Sequence, residues 1–155
     1  VTRPTWLARN SADSVARGTL SAVDPDLTRF AGRGGKLLMY HGWADHSIAP
    51  RASVNFYEST RKATRAPGAN ADWVRLFMVP GMQHCSGGEG PDTFDAVGAL
   101  ESWVEQGRPP ASMIASHSTS GRVDRTRPLC PYPQVARYKG TGSIDEAASF
   151  ACMAP

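Results

Sequence analysis

LLMYHGWADHSIAP, Leu37 to Pro50, is an apolar run that stops abruptly on a His, a Gly, a Trp and an Asp. Lys36 to His41 follows the turn signal Gly34-Gly35, and its near-continuous apolar character predicts a short strand buried on both faces. A second run of the same kind, Trp73 to Val79, ends at Pro80-Gly81. Each run is followed by a helical pattern. Arg51 to Thr64 places Val54, Tyr57 and Arg61 on one side, with Phe56 and Thr60 nearby, and stops before Pro67-Gly68. Thr93 to Gln106 places Phe94, Val97, Leu100 and Val104 on one face with Trp103 beside them; Phe94 and Trp103 read as core. Asp92 or Thr93 would cap that helix and Gly107 would end it. A third short strand is expected at Ser112 to Ser116.

Strand, helix, strand, helix, strand over residues 34–117 is the alternation of an α/β layer fold with right-handed crossovers. Two or three parallel strands make a thin sheet, so residues 1–155 read as a single partial domain, a portion of a larger sheet. Residues 1–33 form an N-terminal connecting segment with a short helix expected at Asp26 to Ala31. Residues 118–155, rich in Pro, Gly and Arg, read as an irregular tail with a last helical turn or two at Ser143 to Cys152.

The 155 residues carry 41% hydrophobic and 20% charged side chains, the balance of a globular domain. No apolar run approaches the roughly 20 residues needed to span a bilayer, so no membrane partner is expected. The start, VTRPTWLARN, lacks the apolar region of a signal peptide, which leaves a cytosolic or an already trimmed chain. The net charge of +3 is spread over arginines from Arg3 to Arg137 rather than gathered into a stripe with interleaved aromatics. That argues against nucleic acid as a partner. Of the three cysteines, Cys130 and Cys152 flank the tail, where a staple would stabilise by roughly 3 kcal/mol in the chain-entropy model. Cys85, directly after His84, is then left over as a free thiol or the partner of a cysteine outside this chain. Three reduced thiols are the alternative.

Functional groups in open α/β sheets collect on loops outside the carboxyl ends of the strands. Asp45 lies just past the first strand, and His84 lies on the corresponding loop of the second, in VPGMQHCSGG. With neighbouring strands, the carboxylate can fix the tautomer of the imidazole and leave its other nitrogen as a general base. The acid also precedes the histidine by one helix and one strand, the order found in α/β-hydrolases. Their G-x-S-x-G nucleophile motif does not occur here, and Ser47, Ser86 and Cys85 stand where no nucleophile elbow belongs. The serine of such a triad would lie in another segment. His41-x-x-x-Asp45-His46 is a weak metal pattern. His41 is expected to pack or hydrogen-bond at the strand end and His46 to face solvent, while His117, following a strand without partners, reads as structural. Trp43 either buttresses the Asp loop or lines a pocket.

The blocks DPDLTRFAGRGGKLLMYHGWADHSIAPRASVNFYE, LFMVPGMQHCSGGEGPDTFDAVGALESWVEQGRPP and RTRPLCPYPQVARYKGTGSIDEAASFAC resemble the C-terminal part of the tannase and feruloyl esterase family. These are secreted α/β-hydrolases that cleave esters of plant phenolic acids. The resemblance implies that Asp45 is the triad acid and His84 the base. It implies that Cys85 pairs with a cysteine just before the nucleophilic serine, absent here, and that Cys130 and Cys152 form a C-terminal disulfide. The partners it implies are an aromatic ester, feruloyl or galloyl in type, and an upstream part carrying the serine and a substrate lid. No cofactor is expected in this chain, although the lid could hold calcium. The implied location is secreted or periplasmic. A non-catalytic α/β module binding a ligand or a protein is the alternative.

Overall fold

The computed structural model describes residues 23–65 and 72–155. Most of the expected N-terminal connecting segment, 1–22, lies outside the described residues. Helix α1, Thr28–Ala31, covers the second half of the turn expected at Asp26 to Ala31. Strand β1, Leu37–Gly42, leads through the Asp loop into helix α2, Pro50–Ala63. Strand β2, Val74–Val79, leads through the His loop into helix α3, Ala96–Gln106. β1 and β2 pair in parallel with an unbroken register from Leu37 opposite Val74 to Gly42 opposite Val79. The two-strand, two-helix unit at the centre of the α/β reading is therefore present.

β2 is the axis of the packing. Its period-2 alternation sends Val74, Leu76 and Met78 to one face, where they meet Val54 and Tyr57 of α2 and the neighbouring Trp73. Phe77 and Val79 go to the other face, against Met82, Met113, Ala115 and Leu129. A strand covered on both sides can afford few polar residues, which explains the continuous apolar run. α2 starts with Pro50 in its first turn, where the missing N–H costs nothing, and buries Val54, Tyr57 and Thr60 at three-residue spacing.

α3 is shorter than expected and turned about its axis. Asp92 and Thr93 are engaged elsewhere: Asp92 accepts the Gly87 N–H of the His loop, and Thr93 bridges to Ser116. Asp95 is the cap instead, its Oδ1 accepting the Gly98 N–H at 2.8 Å, and Gly107 closes the helix with φ 64°. Trp103 is fully buried, whereas Val97 and Val104 of the expected apolar face are 69% and 60% exposed. The larger ring takes the sheet side together with Ala96 and Ala99, whose small side chains let the helix approach. The Lys36 ammonium and the Arg75 guanidinium lie 5.6 and 5.5 Å from the Trp103 ring centre.

The C-terminal third differs most from expectation. The strand expected at 112–116 exists as β3, Met113–Thr119, but it joins no parallel sheet. It pairs antiparallel with β4, Arg122–Leu129, across the two-residue turn Ser120-Gly121, both with positive φ. That is the backbone of a type I′ hairpin. The tail is strand-bearing rather than irregular. β5, Val135–Tyr138, pairs antiparallel with β6, Phe150–Met153, and the helical turn expected at Ser143 to Cys152 contracts to a 3₁₀ turn at Ala147–Ser149. An isolated helical turn has little intrinsic stability, so the ladder with β5 wins. A Cys130–Cys152 disulfide ties β6 to the end of β4.

Leu76 has no exposed surface and lies in the cluster joining β2 to α2. Leu76→Ala should lower the unfolding free energy by about 2–5 kcal/mol, read from the midpoint shift in urea.

Candidate active site

The parallel register brings the ends of β1 and β2 level, so the Asp and His loops leave the sheet side by side. Backbone bonds stitch them together: Trp43 N–H donates to Val79 O at 2.9 Å and Ala44 N–H to Met82 O at 3.0 Å. Gly42 sits in the crossing, where an added Cβ would run into the carbonyl oxygens of Met82 and Gln83. Beyond His84, Cys85 adopts φ 66°, a left-handed conformation that costs a non-glycine residue on the order of 1 kcal/mol. The turn it makes lets Gln83 N–H reach Gly87 O at 3.0 Å, folding the His loop back on itself.

Asp45 is the hub. Its side chain is 3% exposed, and both carboxylate oxygens are engaged. Oδ1 accepts the N–H groups of Ser47 and Ile48 at 2.7 and 2.9 Å, which fixes the loop ahead of α2. Oδ2 accepts from His84 Nδ1 at 2.8 Å and from His41 Nε2 at 3.0 Å. Burial by itself would raise the Asp45 carboxyl. The bonds from Ile48, His84, Ser47 and His41 outweigh it and hold the group well below the usual carboxylate range. The sign follows for stability. The contribution of Asp45 is in place above the ordinary carboxylate range and is lost as pH falls below that range toward the depressed value.

His84 donates from Nδ1, so its neutral ring carries Nε2 as an acceptor with no partner among the described residues, and the side chain is 49% exposed. Tyr40, His41, Gly42, Asp45, Ile48, Met82, His84 and Cys85 line a small cleft of about 110 Å³ around the pair. A nucleophile brought to the open Nε2 would complete a proton relay. No described serine hydroxyl bonds to His84; Ser47 serves through its backbone, and Ser86 is exposed. Cys85 is free and exposed. Trp43 is 42% exposed and outside the cleft lining, and His46 faces solvent. His117 lies within β3 rather than after a strand, and it has a partner, Asp124 Oδ1 at 2.6 Å. His41 was visible only as a residue that packs or hydrogen-bonds at the strand end. Its bond to the acid was missed, although the His-x-x-x-Asp spacing was the available signal. No group of three or more His, Cys, Asp or Glu among the described residues could hold a metal ion.

Adjacent parallel strands joined by a helix, with an Asp and a His bonded to each other on their carboxyl-end loops, define a segment of an α/β-hydrolase. The chain belongs to the tannase and feruloyl esterase family, whose model matches residues 8–153. It is 49% identical over 137 residues to a mono(2-hydroxyethyl) terephthalate hydrolase of Piscinibacter sakaiensis, across 86% of this chain and 22% of that protein. It is 32% identical over 137 residues to a tannase of Aspergillus oryzae, across 82% of this chain and 23% of that one. Among solved structures, feruloyl esterase B from Aspergillus oryzae superposes with a TM-score of 0.82 at 27% identity, covering 96% of this chain and 33% of its own. The chain thus spans about a quarter to a third of these relatives' length.

Because Gly42 lets the His loop cross the end of β1, Gly42→Ala should separate the two loops. The expected result is loss of the Asp45–His84 hydrogen bond, read as disappearance of the downfield His84 Nδ1–H proton resonance, in a protein whose overall circular dichroism is retained.

Proposed function

We propose that this chain supplies the acid and the base of a secreted or periplasmic serine carboxylic-ester hydrolase acting on aromatic esters of the phenolic-acid type. The observation that carries the reading is the 2.8 Å bond between Asp45 Oδ2 and His84 Nδ1 at the ends of two neighbouring strands. Membership in an ester-hydrolase family and relatives named for feruloyl and terephthalate esters support the substrate class. The Cys130–Cys152 disulfide supports an oxidising compartment.

In the complete enzyme, His84 Nε2 takes the proton of a serine hydroxyl contributed by another segment as that oxygen attacks the ester carbonyl. His84 then protonates the departing alcohol, and Asp45 stabilises the imidazolium formed between these steps. Water repeats the sequence on the acyl-enzyme, with His84 again as base. Cys85, next to the base, is suited to a disulfide with a cysteine of that same segment. With no nucleophile in position among the described residues, the chain alone should be inactive.

The test replaces the matching C-terminal segment of the terephthalate-ester hydrolase with this chain. The chimera should hydrolyse its aromatic ester, whereas the chain alone should not. In that chimera Asp45→Asn and His84→Ala should each lower kcat on the order of 10⁴-fold. A folded chimera without activity would favour a binding module, and full activity in His84→Ala would end the reading.

A further inference from the structure

His84 is one of two imidazoles on Asp45 Oδ2. The other, His41, stands at the end of β1 with only 11% of its side chain exposed. Its Nε2 lies 3.0 Å from that oxygen, and its Nδ1 lies 2.7 Å from Ser53 Oγ in the first turn of α2. An acceptor facing one ring nitrogen places the proton there and leaves the other nitrogen bare. An Nε2–H donor to the carboxylate leaves Nδ1 of the neutral ring as an acceptor, which the Ser53 hydroxyl fills. The arrangement reads in one direction: Ser53 O–H to His41 Nδ1, then His41 Nε2–H to Asp45 Oδ2. His41 is therefore held in the tautomer opposite to that of His84, and both rings converge on one oxygen.

We propose that His41, locked by Ser53, is a positioning residue that holds the Asp45 carboxylate for His84 and draws charge from the oxygen they share. The proposal rests on the reading of His84 as the base. Two consequences follow from the shared oxygen. The carboxylate cannot swing away from His84 without breaking the His41 bond, because its other oxygen is already held by two backbone N–H groups. A carboxylate whose charge is divided between two donors also attracts a proton onto either ring less strongly than one serving a single donor. His41 thus moderates how tightly Asp45 holds the His84 imidazolium, keeping the free Nε2 available as an acceptor. The other titratable groups in the cleft are Tyr40 from β1 and Cys85 from the His loop. α2 presents the neutral Ser53 to His41, and no carboxylate other than Asp45 bonds to either ring among the described residues.

Ring-nitrogen NMR of the purified 155-residue chain, followed from about pH 5 to about pH 9, tests this without an ester or a nucleophile. It can therefore fail while the esterase chimera succeeds, and the reverse. In the unaltered chain at the alkaline end, His41 should be the Nε2–H tautomer and His84 the Nδ1–H tautomer. In His41→Phe, Asp45 serves His84 alone, and the pH of half-protonation of His84 should rise by about half a unit, a threefold change in proton affinity. His41→Gln keeps an N–H donor for the same oxygen and should hold the midpoint near that of the unaltered chain. Ser53→Ala leaves the carboxylate to keep His41 as the Nε2–H tautomer but removes the bond that orients its ring, and should move His84 in the same direction as His41→Phe, by less. Should His41→Phe not fold by its amide spectrum, the Gln and Ala variants carry the test. A His41 found as the Nδ1–H tautomer, a midpoint unmoved in the Phe and Ala variants, or a Gln variant behaving like Phe would overturn the proposal.

Discussion

The site depends on the parallel pairing of β1 with β2. Six paired positions in unbroken register set Gly42 level with Val79, and every later contact between the Asp and His loops follows from that alignment. A slip of one residue would reverse the faces of β2, sending Leu76 and Phe77 each to the wrong side. The register is therefore held by two separate apolar clusters, one against α2 and one against the β3–β4 hairpin. The acid and base are separated along the chain by a whole helix and strand, yet their positions are set by packing well below them.

Above that frame the control is electrostatic and local. Four donors converge on one buried carboxylate, two from the backbone of its own loop and two from imidazoles. The backbone pair shapes the loop into α2, and the imidazole pair connects the loop to β1 and to the His loop. Ionising a shielded carboxyl would ordinarily be unfavourable, and the density of donors reverses that preference.

Much of this was legible in the sequence. β1 and β2 announced themselves as short apolar runs, and Asp45 and His84 followed from their places just beyond the strand ends. The resemblance carried the class, including the Cys130–Cys152 pair. What escaped depended on tertiary partners. The stretch GRVDRTRPLC lacks a buried stripe along most of its length, because the first three residues of β4 are exposed and only its end reaches the core. Strand formation there comes from pairing with β3 rather than from composition. The Ser120-Gly121 turn was the readable clue. In α3 the core reading of Trp103 holds, but the branched aliphatics at helical spacing beside it misplace the buried face, and the structure leaves Val97 and Val104 outside. His41 is a case of a different kind. Periodicity places it at a strand end, but nothing in one sequence says which oxygen its ring will meet.

Among the described residues β1 pairs with β2 alone, whereas the far side of β2 is covered at Pro131 and Tyr132. The outer margin of β1 therefore presents ladder groups with no described strand beside them, flanked by the exposed Tyr40. Such a margin is a template for any extended backbone, including that of another copy. The strand that presents the acid is thus also the open edge of the described sheet.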